Sequence, residues 1–132
     1  MPSFPDHFPP QCPFSEATEV DNMVVYRRTG HKNLTDADFK THYEKHPNRY
    51  EKDCMARGLS VYTNKQDLYG DAQEKTGAMR KKKFIIEIQL NPSLGKIHNT
   101  SRNGDSHHTW WMYGGADPFS SCSVRELREH EL

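Results

Sequence analysis

Apolar and polar positions alternate most cleanly along 83-KFIIEIQL-90, where Phe84, Ile86, Ile88 and Leu90 oppose Lys83, Glu87 and Gln89. A period of two marks a half-buried β-strand. The shorter apolar and β-branched runs 23-MVVYR-27 and 59-LSVYT-63 read as strands as well. Between these two runs the period lengthens. In 34-LTDADFKTHYEKH-46, Phe39 and Tyr43 share a face, Thr35 stands as N-cap with Asp38 three residues on, and Pro47 interrupts. The stretch 48-NRYEKDCMAR-57 sets Tyr50 and Cys54 on one side and stops at Gly58. A third helical segment starts at Asn64, aligns Leu68 with Ala72 and ends at Gly77. The order predicts an α+β fold: a mainly antiparallel sheet with two or three short helices in the N-terminal half. Residues 122–128 read as a strand or a short helix.

Ahead of this pattern, residues 1–22 carry five of the eight prolines, interleaved with Phe4, Phe8 and Phe14. Proline at that density excludes a helix or a central strand. The expectation is a Pro-rich arm over 1–22, pinned by its phenylalanines onto a single α+β domain over 23–132.

Composition changes this picture in three ways. Only 33% of the 132 residues are hydrophobic, but six Tyr, six Phe and two Trp supply an aromatic core, against the disordered class. Eighteen basic residues balance eighteen acidic ones, which excludes a surface that is basic all over. The run 80-RKKK-83 is a local exception, read as a solvated strand entrance. The cysteines Cys12, Cys54 and Cys122 are odd in number and form no C-x-x-C, which argues against a zinc site and a disulfide scaffold. Three buried thiols in a reducing cytoplasm are expected, with no signal-peptide pattern and no apolar run of membrane-spanning length.

The chemistry concentrates in 97-IHNTSRNGDSHHTWW-111. Asn103-Gly104 is a two-residue hairpin signal, because a type I′ turn needs positive φ at both central positions. Closed there, Arg102 faces Asp105, Thr100 faces His107 and His98 faces Thr109. One face then carries Lys96, His98, Thr100, His107, Thr109 and Trp111, and the other Ile97, Asn99, Ser101, Ser106, His108 and Trp110. His107 and His108 therefore cannot hold one metal as neighbours, and a His98/His107 pair lacks a third ligand. His98 and His107 as general acid and base, with Lys96 for a phosphate, form the set a metal-independent ribonuclease needs.

An ordered set remains: 24-VVYRR-28, 57-RGLSVYTN-64, 84-FIIEIQL-90 and the late 124-VRE-126. This layout resembles the ADP-ribosyltransferase-like fold, including small bacterial toxins that consume NAD. The resemblance implies an Arg at the end of the first strand binding the dinucleotide, here Arg27 with Arg28 as alternative. It implies a hydroxyl shaping the nicotinamide pocket on the second strand, here Ser60 with Tyr62 on the same face. It also implies a late acidic residue that stabilises the ribosyl cation, here Glu126. Glu126 is not part of a Glu-x-Glu or Gln-x-Glu, so a hairpin histidine is the alternative in the active role, as in relatives that transfer RNA 2′-phosphate using NAD. Tyr26, Tyr62, Trp110 and Trp111 are the candidates to stack on the nicotinamide ring. Three functions follow as expectations: NAD-dependent ADP-ribosyl transfer or NAD hydrolysis; a metal-independent ribonuclease; and a non-catalytic protein-binding domain. The implied partners are NAD, a protein or RNA target and a cognate inhibitor protein, without membrane contact.

Overall fold

The computed structural model describes residues 2–69, 82–101, 104–128 and 131. Six strands form one antiparallel sheet: β1 (Met23–Thr29), β2 (Leu59–Tyr62), β3 (Phe84–Leu90), β4 (Gly95–Asn99), β5 (His107–Met112) and β6 (Cys122–Glu126), in the order β4-β5-β2-β1-β3-β6. The alternation along 84–90 buries Ile86, Ile88 and Leu90 beside Val25, Val61 and Trp110, and these side chains make the core on one face.

The expected α+β class does not hold. Among the described residues the helical content is one α-turn, α1 (His42–Lys45), and short 3-10 turns such as Asp36–Phe39, Met55–Arg57 and Lys65–Leu68. The physical reason lies in competing caps. Asp38 bonds back to the Thr35 N–H at 2.9 Å, as the sequence predicts, but Thr41 starts a second capping box with Glu44. The extended backbone of Thr41 separates the two turns, and Pro47 stops any continuation. Segments this short do not sustain a helix by themselves. The third expected helix reaches beyond Leu68 into residues outside the described ones, as do Arg80 and Lys81 of the basic run.

The arm is tied down covalently. Cys12 and Cys54 form a disulfide across 42 residues, overturning the expectation of three free thiols, and only Cys122 is free. A disulfide is uncommon in a reducing cytosol, so the cysteines no longer argue for that compartment. Thr18 bridges to Ile97, Phe4 packs on Tyr113 and Phe14 meets Trp111 edge-on. No described helix is long and apolar enough to cross a membrane.

Candidate functional site

The sheet is joined unevenly at its centre. Seven residue pairs link β1 to β3, whereas β1 meets β2 only where Tyr26 faces Tyr62. Beyond that pair the strands part, leaving two three-stranded halves, β4-β5-β2 and β1-β3-β6. Arg27 occupies the gap, its Nη1 donating to the Ser60 carbonyl at 2.6 Å in place of a ladder hydrogen bond.

A cleft of about 270 Å³ opens at this gap. Its cationic lining comes from Arg27 and Arg28 of β1, Lys40 and Lys45 around α1, and Lys82, with the His42 imidazole among them. Among the described residues no Asp or Glu lines it. Arg28 is 5% exposed; it donates to the Lys82 and Leu68 carbonyls while its Nη2 has no partner among the described residues. Arg27 Nε is also buried and unpartnered. Burial pushes the Arg27 guanidinium down to about 10, with Asp38 opposing. Burial, and then repulsion from Arg27 and Lys45, lowers Lys82; His42 is lowered by burial and by the same neighbours. Unpaired buried donors and mutually repelling cations describe a site preformed for an anion.

On the solvent side of the same gap stands a hydrogen-bond chain. Ser60 Oγ lies 3.0 Å from His107 Nε2, His107 Nδ1 lies 2.8 Å from Thr100 Oγ1, and Thr100 Oγ1 lies 2.8 Å from Thr109 Oγ1. Thr109 then donates to Met55 Sδ at 3.9 Å. A thioether only accepts, so the protons run one way along the chain: Thr100 gives its proton to Thr109 and takes one from His107 Nδ1. His107 is left as the Nδ1–H tautomer with a free lone pair on Nε2, facing the Ser60 hydroxyl. That is a serine beside a positioned base.

The hairpin register holds: His98 pairs with Thr109, and the Thr100 N–H donates to the His107 carbonyl at 3.1 Å. Arg102 and Asn103, at the expected turn, lie outside the described residues. Ser60, Tyr62 and His107 share one face, with the Tyr62 ring edge-on to His107 at 5.3 Å, and Arg27 reaches the Ser60 backbone carbonyl from the other row of β1. His98 shares the face but contacts Phe14 and takes no part in the Ser60–His107 chain. Trp111 is fully buried and its Nε1 donates to the Cys54 carbonyl, so it offers the cleft no ring face. Trp110 is in the core. Glu126 lies on β6, three strands from β2, about 14 Å at ordinary strand spacing. The acid expected from the resemblance therefore stands away from the cleft, and a hairpin histidine stands against Ser60 and Tyr62, which line it. Sequence reasoning missed His42, Lys45 and Lys40, whose spacing carries no motif, and the threonine relay, whose members meet only through strand pairing. No family model, curated protein or solved structure matches the chain.

Proposed function

We propose that the protein consumes NAD, transferring ADP-ribose to an acceptor or to water. The carrying observation is the convergence of Arg27 from β1, Ser60 from β2 and His107 from β5 at the mouth of a cationic cleft. The pyrophosphate of NAD suits Arg27, Arg28 and Lys82, because their charges and free N–H groups are already desolvated. With the phosphates held there, the ribosyl C1″ comes to Ser60 and Tyr62. The C1″–nicotinamide bond breaks, water or an acceptor hydroxyl attacks C1″, and its proton passes to His107 Nε2, directly or through Ser60 Oγ. Thr100 keeps the imidazole in the right tautomer. Glu126 takes no part in this scheme.

A second reading has support of its own: five cationic side chains exceed what a pyrophosphate needs, and an RNA phosphate backbone fits them too. His107 would then act on a ribose hydroxyl. One experiment separates the two. Wild type, Ser60→Ala, His107→Gln, Arg27→Lys and Glu126→Ala are assayed for nicotinamide release from NAD and for RNA cleavage in excess EDTA. The NAD reading expects release by wild type and Glu126→Ala, with losses of 100-fold or so in the other three, in line with removal of a positioned acid–base group. Absence of release by wild type, where a known NAD consumer works, overturns it.

A further inference from the structure

On the core side of the sheet lies a second cavity of about 380 Å³. Trp110 and Met112 of β5 line its sheet side, Phe39 and Phe119 come from the loops, and the arm contributes His7 and Phe8. Phe39 stands edge-on to both Trp110 (6.3 Å) and Phe119 (5.2 Å), which makes one continuous aromatic wall. Phe119 is 38% exposed, the one large apolar side chain on the surface among the described residues. The volume falls in the range of small-molecule sites.

Two buried polar atoms in this lining have no partner among the described residues. Arg57 is 3% exposed and lies over the Tyr43 ring at 3.8 Å. Its Nη atoms donate to the carbonyls of Tyr50, Glu51 and Asp53, and its Nε is left over. His7 stacks on Tyr43 at 4.5 Å with Nδ1 buried and unpaired. Buried polar groups are costly to leave unmatched. The arginine Nε–H only donates, while an imidazole nitrogen accepts in one tautomer. Burial lowers the His7 pKa, which favours the neutral ring. Asp36 and Glu44 offset Lys40 and Arg57 around the cavity, so its lining selects for no net charge.

We propose that this cavity binds a neutral, flat aromatic molecule bearing a carboxamide or lactam, its carbonyl accepting from Arg57 Nε–H and its N–H donating to His7 Nδ1. The aromatic body lies in the cavity against the wall of Phe39, Trp110 and Phe119. The site stands independently of NAD consumption, because Ser60 and His107 lie on the other face of the sheet.

The test uses 2-naphthamide as probe and the indole N–H resonances of the two tryptophans as reporters. Trp110 borders the cavity, and Trp111 packs on Phe14 at the opposite face, which makes it an internal control. The Trp110 signal is expected to shift saturably while Trp111 stays in place. 2-Methylnaphthalene and 2-naphthoate are each expected to bind about tenfold more weakly, the scale of hydrogen bonds lost in a dry site. His7→Phe keeps a ring on Tyr43 and is expected to reduce the amide's advantage over the hydrocarbon to threefold or less. Ala116→Phe, filling the cavity, is expected to abolish the shift with both indole signals otherwise at their wild-type positions. The proposal is overturned if Trp110 shows no saturable shift, if 2-methylnaphthalene or 2-naphthoate binds as well as the amide, or if Arg27→Lys abolishes binding and so places the probe in the basic cleft.

Discussion

Replacing Cys12 and Cys54 together by alanine tests how the arm is held. The bond spans 42 residues, and closing a loop of that size in the unfolded chain is worth about 4 kcal/mol on the chain-entropy account. In the native state the arm keeps other anchors: the Thr18–Ile97 bridge, a 2.8 Å hydrogen bond from the Gly114 N–H to the Ser3 carbonyl, and Phe14 against Trp111. The loss should therefore come from a freer unfolded state rather than from detachment of the arm. Urea unfolding followed by tryptophan fluorescence is the assay. With a urea dependence of about 2 kcal/mol per molar for a domain of this size, the midpoint should fall by about 2 M. The folded baseline should be unchanged, since Trp111 keeps Phe14. Dithiothreitol added to wild type should reproduce the shift. A double variant within about 1 kcal/mol of wild type, or more than the single Cys122 thiol titrating in the untreated protein, would refute the reasoning.

Gly58→Ala should cost about 2–3 kcal/mol, read by the same urea assay, because the new Cβ would lie 2.3 Å from Thr109 Cγ2 and 3.3 Å from the Trp110 carbonyl. Stability should also decline as pH falls below about 5. The Arg125 side chain and the Arg128 N–H hold the Glu131 carboxylate well below the usual range against the opposing effect of burial. A carboxylate with a depressed folded pKa contributes fully above its unfolded pKa and loses that contribution as acid protonates it. Glu131→Gln should flatten this part of the pH profile, and thermal unfolding between pH 3 and 7 would show whether it does.

The parts legible in the sequence are those set by local periodicity. Alternation at 84–90 placed β3, and the short β-branched runs placed most of β1 and β2. Asn103-Gly104 carried enough information to set the register of β4 against β5, hence the shared face of His98, Thr100, His107 and Thr109. Helices failed for the opposite reason. The Phe39/Tyr43 spacing is helical, but the segment is too short and too often re-capped to persist, and the loops hold Phe39 in the core without one. Cysteine counting failed because an odd number hides one pair and one free thiol.

By itself, then, the sequence determined where most of the strands would lie and which residues would face the same way across the hairpin. Those properties depend on side-chain alternation and turn chemistry within about ten residues. Tertiary structure decided the rest. It parted β1 from β2 beyond Tyr26 and drew Ser60 against His107 across 47 residues. It also gathered Arg28, His42, Lys45 and Lys82 around one cleft and set Glu126 three strands away. Strand order is chosen by how all the apolar faces bury together, and no local pattern encodes that choice.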